Sequence, residues 1–322
     1  AHYRGLNVAP ERQTVGEFLD RWLRDCVPSR SRPRTLESYS SVARIHLNPT
    51  IGKIPLNRLS PQHVQQLLTA KLQEGLSPRT VQYIHRVLSM ALNQAVKWDL
   101  LPRNVCQAVS PPRVTRYKVE PLTADEARRF LEAVRGSPEE TLFALTIALG
   151  LRLGEVLGLR WEDIDLEERT LSVRYQLQSR GSKTLTEPKS ERSRRMLPLP
   201  SFLVEVLRVH RKRQRQMRLL AGSRWKDTRF VFTTTVGTPM DPRRVGRLFH
   251  RALEKAGLPR KRFHDLRHTA ASLLLAQAVH PRVIMELLGH SQITVTMNTY
   301  AHVMPQLQRE AVDKVGNLLH RP

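Results

Sequence analysis

Two arginines, a lysine, three histidines and a tyrosine fall between positions 152 and 300 in short segments that suit one kind of chemistry. The segments are Gly150-Leu151-Arg152-Leu153-Gly154-Glu155, Pro188-Lys189-Ser190, His264-Asp265-Leu266-Arg267-His268, Leu288-Gly289-His290 and Asn298-Thr299-Tyr300-Ala301-His302-Val303. Breaking a phosphodiester without a metal requires a nucleophile, an acid for the leaving oxygen, and cations for the charge that grows on phosphorus. The set contains all three. The guanidiniums of Arg152 and Arg267 can each grip a non-bridging oxygen through paired N–H donors. A preorganised clamp of this kind is usually the largest contribution to stabilising a charged transition state. A phenol such as that of Tyr300 has a pKa near ~10, so it needs positive charge and a proton acceptor to become a nucleophile.

Each of these residues also has a plainer reading. Arg152 and Glu155 could be an i,i+3 surface pair worth about 0.2–0.5 kcal/mol. Arg152 stands directly after an apolar helix, however, where Glu155 on the same face would orient it for a task. Lys183 competes with Lys189, and Glu187 stands near enough to tie up a lysine. Leu288-Gly289-His290 also reads as a helix C-terminus with its glycine and a dipole-favoured cation. His264 and His268 have zinc-like i,i+4 spacing, but the glutamate of H-E-x-x-H is missing and Arg267 between them would repel a dication. No metal and no other cofactor is expected. His268 reads as a structural neighbour, and His302 is undecided.

The charge balance points to the kind of partner. The 322 residues hold 53 Lys and Arg against 29 Asp and Glu, a formal +24. Residues 1–113 carry 16 basic and 7 acidic residues, +9, and residues 114–322 carry 37 and 22, +15. Both halves are basic, which suits two modules gripping one polyanion rather than a single basic arm. The length exceeds the usual size of one core, so two domains are expected. Cys26 and Cys106 have no metal-ligand spacing; they leave a disulfide open but suit a reduced compartment. No apolar run approaches the roughly 18–20 residues that span a bilayer, and the opening Ala1-His2-Tyr3-Arg4 is no signal peptide. A start on Ala1 rather than Met is expected of a fragment with more chain upstream.

The elements that must position these residues read as follows. Thr14 and Glu17 form a capping box ahead of a helix with Val15, Phe18, Leu19, Trp22 and Leu23 on one face. A basic stretch at 29–34 precedes a second helix from about Thr35, carrying Tyr39, Val42 and Ile45. Ser60-Pro61 and Ser77-Pro78 open two more helices with proline at the first position. The last runs to about Lys97 with Val81, Ile84, Val87, Leu88, Leu92 and Ala95 at helical spacing. Residues 99–121, with Pro102, Pro111, Pro112 and Pro121, read as a semi-rigid linker. Thr123 and Glu126 form a further capping box, and Thr141–Leu149 is a buried helix ending at Gly150. Alternation at 164–176 and 184–199 suggests short strands, with turns at 167–169 and near 191–193. Helices return at about 200–220 and 241–256, and from 266 onward.

The succession of G-x-R-x-x-E, H-x-L-R-H, L-G-H and a tyrosine ten residues past its histidine resembles the tyrosine recombinases, the phage-integrase family of site-specific DNA recombinases. The resemblance spans roughly residues 14–319, with its specific motifs within 146–303. It implies a mainly α fold of two domains: a helical-bundle N-terminal core-binding domain at 12–110 and a mixed α+β catalytic domain with a small antiparallel sheet at 122–304. A linker at 111–121 would join them, and a tail helix at 305–322 would dock on another protomer. In this reading Tyr300 attacks the scissile phosphate, Arg152 and Arg267 clamp it, and Lys189 protonates the leaving oxygen. His264 and His290 serve as base and hydrogen-bond donor, while Glu155 orients Arg152. The resemblance selects Lys189 over Lys183 because a stretch like Ser193–Leu199 follows it. The partners implied are double-stranded DNA with specific recombination sites, a homo-tetramer on two such sites, and accessory DNA-bending proteins, in the cytoplasm and away from any membrane. The task implied is integration and excision of a phage or mobile element. A type IB topoisomerase-like strand relaxation and a non-catalytic architectural DNA-binding protein are the alternatives. An extra N-terminal arm-binding domain, common in relatives, is either naturally absent or lies upstream. The basic run Arg208, Arg211, Lys212, Arg213, Arg215 and Arg218 reads as a solvated helix face that could touch DNA backbone without reading sequence.

Overall fold

The computed structural model describes residues 13–115, 119–180, 182–186, 194–289 and 313. The chain divides into two compact units, Ala1–Tyr117 and Lys118–Pro322.

The described part of the first unit is helical. Helix α1 (Val15–Asp25) starts at the expected capping box: Glu17 N–H donates to Thr14 Oγ1 at 3.3 Å and Thr14 N–H to Glu17 Oε2 at 2.8 Å. It buries Val15, Phe18, Leu19 and Trp22. A single turn, α2 (Val27–Arg30), leads to α3 (Pro33–Val42), a π-helical turn at Ala43–Leu47, and α4 (Asn48–Ile51). The π turn resets the helix face. Ala43 and Leu47 point into the core, while Ile45, expected beside Tyr39 and Val42, is 52% exposed. Helices α5 (Pro61–Gln73) and α6 (Pro78–Lys97) start as expected, each with proline in its first turn and a serine cap, Ser60 and Ser77. Every α6 position expected in the core is buried.

The stretch expected to be linker begins later than its prolines suggested. Leu101, Cys106 and Val109 pack into the first unit's core, and a 3-10 turn at Val105–Ala108 is fixed by Asn104, which reaches Ser89 and Asn93 on α6. Both cysteines are free thiols, and burial pushes that of Cys106 up to about 12.

The second unit places helices around two small sheets. Helix α7 (Ala124–Val134) starts at the Thr123/Glu126 capping box. Helix α8 (Glu140–Leu149) is apolar and buried almost all round. It ends at Gly150, whose φ of 61° is the left-handed conformation that favours glycine. After the short α9 (Leu153–Leu157) come strands β1 (Ile164–Asp165), β2 (Thr170–Val173), β3 (Gln176–Arg180), β4 (Ser182–Thr186) and β5 (Arg195–Pro198). Instead of one sheet there are two: an antiparallel β1-β2-β5 sheet and a separate β3–β4 hairpin. Helices α10 (Ser201–Ala221), α11 (Pro242–Lys255), α12 (Asp265–Ala276) and α13 (Pro281–Leu288) complete the described fold. Phe130, Phe143, Phe249 and Phe263 join α7, α8 and α11 through edge-on and tilted ring contacts. Among the described residues no helix is long and apolar enough to cross a membrane.

Candidate active site

Chain geometry at helix ends brings the first arginine to the site. Gly150 turns the chain out of α8, and Arg152 becomes the residue that caps α9. Its amide donates to Glu155 Oε2 at 3.0 Å and its Nη1 to Glu155 Oε1 at 2.6 Å. Glu155 is only 2% exposed, so the pair is no surface ornament. A second cation, Arg195 at the start of β5, approaches the same carboxylate: Nη2 lies 3.0 Å from Oε2 and Nη1 3.5 Å from Oε1. Burial pushes the Glu155 carboxyl up. The charge and hydrogen bond of Arg195, followed by the charge and amide of Arg152, outweigh it and hold the group below the usual carboxylate range.

Arg267 lies on the buried face of α12 and is 1% exposed. It donates through Nη1 to Gly150 O at 2.7 Å and through Nη2 to Leu288 O at 2.5 Å. Both acceptors sit at helix C-termini, where carbonyls lack intrahelical partners and carry partial negative charge. Arg152 reaches the same place, with Nη2 at 3.2 Å from Gly289 O. Gly289 ends α13 at φ 65°. A side chain on Gly150 would collide with Leu288, so the two glycine turns pack closely.

His264 sits at the N-terminus of α12, with its ring centroid 5.1 Å from that of His268 and nearly perpendicular to it. Burial of its inner face lowers its pKa to about 4, helped by the charges of His268, Arg267 and Arg152 and opposed by Asp265. The imidazole is therefore neutral at pH 7. Burial also lowers His268, with Asp265 raising it and Arg262 and Arg267 lowering it. Asp265 is buried and held by the amide and guanidinium of Arg262 at 2.9 and 3.0 Å. Thr269 ties α12 to the entry of the unit by accepting from the Leu122 amide at 3.0 Å. Among the described residues no third His, Cys, Asp or Glu joins these histidines in a group that could hold a metal ion.

Arg152, Glu155, His264 and Arg267 are thus brought together. Lys189, His290, Tyr300 and His302 lie outside the described residues. The competing Lys183 stands on β4 opposite Ser179. Arg195 was missed by sequence reasoning, where it stood as one of 53 cations.

The model of the phage integrase family matches residues 120–306, and that of the phage integrase N-terminal SAM-like domain matches residues 14–72. The chain belongs to the phage integrase family and is a site-specific tyrosine recombinase. It is 31% identical to a XerC-like tyrosine recombinase of Caldanaerobacter subterraneus, over 98% of this chain and 85% of that protein. Its fold is similar to that of the Tn1549 transposon integrase in complex with a circular intermediate DNA, with TM-score 0.78 and 22% identity over 94% of this chain and 99% of that one. It is also similar to lambda integrase in a tetramer bound to a Holliday junction, with TM-score 0.68 and 20% identity over 90% and 78% of the two chains.

Proposed function

We propose that this recombinase cuts and rejoins DNA through a 3′-phosphotyrosine intermediate and that it integrates and excises a phage or mobile element. The Tyr300 oxygen attacks the scissile phosphorus, the bond to the 5′ oxygen breaks, and Lys189 gives that oxygen a proton. Neutral His264 accepts the phenolic proton, and His290 donates a hydrogen bond to the phosphate. Arg152 and Arg267 hold the developing charge. Rejoining reverses each transfer, with a 5′ hydroxyl as the nucleophile, so the bond energy is conserved without a cofactor.

The observation that carries this reading is the convergence of Arg152 and Arg267 on the C-terminal end of α13, one residue ahead of His290, with His264 close enough to feel the charge of both. For DNA itself, the two basic units are the grip. In the second unit, Arg243, Arg244, Arg247 and Arg251 stand exposed on α11 with no ion pair among the described residues. Two further proposals follow the relatives. Residues 12–110 form the core-binding domain and 111–121 the linker to the catalytic domain at 122–304. The tail at 305–322, which apart from residue 313 lies outside the described residues and whose sequence spaces Leu307, Ala311, Val312, Val315, Leu318 and Leu319 at helical intervals, docks on a neighbouring protomer of a tetramer. A recombinase of this kind works in the bacterial cytoplasm, where accessory DNA-bending proteins assist it.

Tyr300→Phe tests the chemistry, because only the phenolic oxygen is removed. The variant is expected to bind DNA as wild type does and to form no covalent adduct on a nicked suicide duplex. Peptide mass mapping of the wild-type adduct to another tyrosine would overturn the assignment. Relaxation of supercoils by isolated monomers would favour topoisomerase-like action.

A further inference from the structure

Three consecutive carbonyls at the end of α13 each accept a hydrogen bond from a different arginine. Leu287 O accepts from Arg195 Nε at 2.7 Å, Leu288 O from Arg267 at 2.5 Å, and Gly289 O from Arg152 at 3.2 Å. The last carbonyls of a helix have no intrahelical donors and are ordinarily left to water. Here they are gripped by guanidiniums from β5, α12 and the N-terminus of α9. Two of these arginines belong to the proposed clamp. The third does not.

Arg195 has a 7% exposed side chain and joins two things at once. Its Nε holds Leu287 O, and its Nη atoms take both oxygens of Glu155. Glu155 in turn receives the Nη1 and the amide of Arg152. A carboxylate facing Arg152 alone would favour a two-pronged grip on that guanidinium. With Arg195 sharing the carboxylate, Arg152 gives Glu155 a single Nη and keeps the rest of its edge turned elsewhere. β5 fixes the origin of this brace, since Arg195 pairs with Val173 on β2.

We propose that Arg195 is a positioning residue for strand cleavage: through Glu155 it sets the Arg152 guanidinium, and through Leu287 it sets the end of α13 from which the chain runs to His290 and Tyr300. A lysine cannot replace it, because one ammonium on a flexible stem cannot span acceptors on two elements as a planar fork does. Its charge is also the larger of the two that keep buried Glu155 ionised. The inference rests on the reading of Arg152 as a phosphate clamp.

The test uses the full chain and a nicked duplex carrying its own target, recovered by sequencing DNA trapped on the wild-type protein. Adduct formation is timed at saturating DNA, and DNA affinity is measured separately. Arg195→Met is expected to cleave roughly 10- to 100-fold more slowly, the usual scale for losing a residue that orients a site ligand, with affinity nearly unchanged. Arg195→Lys should recover only part of that rate. Because Arg195 acts through Glu155, Arg195→Met combined with Glu155→Gln should be little slower than Arg195→Met alone. Should Arg195→Met fail to fold, Arg195→Lys with Glu155→Gln completes the same cycle. Wild-type cleavage in Arg195→Met, or losses that simply multiply in the double variant, would overturn the proposal. Normal cleavage in Arg152→Ala would instead strike the clamp reading, which separates the two failures.

Discussion

Two helices of the catalytic unit, α10 and α11, are both strongly basic, yet their cations are placed very differently. On α10, Arg208 pairs with Glu167 at 3.1 Å and Arg218 with Asp227 at 3.4 Å. Arg211 stacks 5.2 Å from the Trp161 ring, and Arg213 donates to the carbonyls of Ser137 and Gly136. Four of the six cations in the run are thus spent on the protein. On α11, Val245, Phe249, Ala252 and Leu253 face the core, while Arg243, Arg247 and Arg251 recur every four residues on the solvent side with Arg244 beside them. These have no ion pair among the described residues. Counting charge in a sequence would favour α10; only the placement of acids, rings and carbonyls around each helix separates an internal brace from a surface that can hold phosphates.

The two arginines proposed as the phosphate clamp test whether a committed cation can also serve DNA, and the largest effect is expected there. Loss of a preorganised donor to a developing anion costs about 2.7–4 kcal/mol, or roughly 100- to 1000-fold in rate. Arg152→Ala and Arg267→Ala should each slow adduct formation by that order. They should differ in stability. Arg152 is more than a third exposed, whereas removal of buried Arg267 leaves the Gly150 and Leu288 carbonyls without its bonds. Each buried group left unpaired costs about 1–3 kcal/mol, so thermal unfolding should shift far more for Arg267→Ala. A fully stable Arg267→Ala that cleaves slowly would mean that its carbonyl bonds are incidental and its task is purely phosphate binding. Cleavage at the wild-type rate would remove it from the clamp.

The next effect is on affinity. Each phosphate contact adds about 0.9 to the slope of log K against log salt, so changing Arg243, Arg244, Arg247 and Arg251 to Gln should lower the slope by about 3.6. Between 50 and 200 mM salt, wild type should then lose on the order of 100-fold more affinity than this variant. The matched α10 variant, with Arg208, Arg211, Arg213 and Arg218 changed to Gln, should keep its slope and lose stability instead. Exposed ion pairs are worth about 0–1 kcal/mol each, and about 2–4 °C in Tm accompanies each kcal/mol in a unit of this size. An unchanged slope in the α11 variant, or a collapsed one in the α10 variant, would reverse the comparison.

What was legible in the sequence was what depends on neighbours in the chain. Ser60-Pro61, Ser77-Pro78, Thr14/Glu17 and Thr123/Glu126 announce helix starts because caps act within three residues. The α6 core positions follow from one uninterrupted period. Ile45 was misread because the π turn at Ala43–Leu47 adds an extra residue to the turn, which no side-chain pattern declares. Strands β1, β2 and β5 fall within the alternating stretches, but nearly all of β3 lies between them, and alternation carries no pairing information, so the β3–β4 hairpin could not be told apart from the β1-β2-β5 sheet. Within the site, Arg152 and Glu155 were readable as partners three residues apart. Arg195 was not: its partners lie 40 and 92 positions away, and its meaning exists only once β5 and α13 are side by side.

The smallest effect concerns protons, and it sets α10 against the arginine site at the start of α12. His210 on α10 has a pKa lowered by burial, with the Val231 carbonyl raising it and Arg213 lowering it; His264 is lowered from 6.5 to about 4. In both cases the folded chain binds its proton less readily than the unfolded chain does. The unfolded state therefore holds more protons below about pH 6.5, and stability falls as pH drops from there toward about 4, with no contribution at pH 7. His268 adds to the same slope. DNA should split the pair. A phosphate placed against Arg152 and Arg267 offsets the charges that depress His264 and raises its pKa, while His210, bonded to the Val231 carbonyl and beside Arg213, should not respond. Imidazole resonances of the Tyr300→Phe protein, followed through an acid titration with and without duplex and identified with His264→Gln, would show this. An upward shift of His264 alone places the phosphate between the arginines. An unmoved His264, or equal shifts at His264 and His210, would mean that the duplex lies elsewhere and that α10 belongs to the DNA-facing side after all.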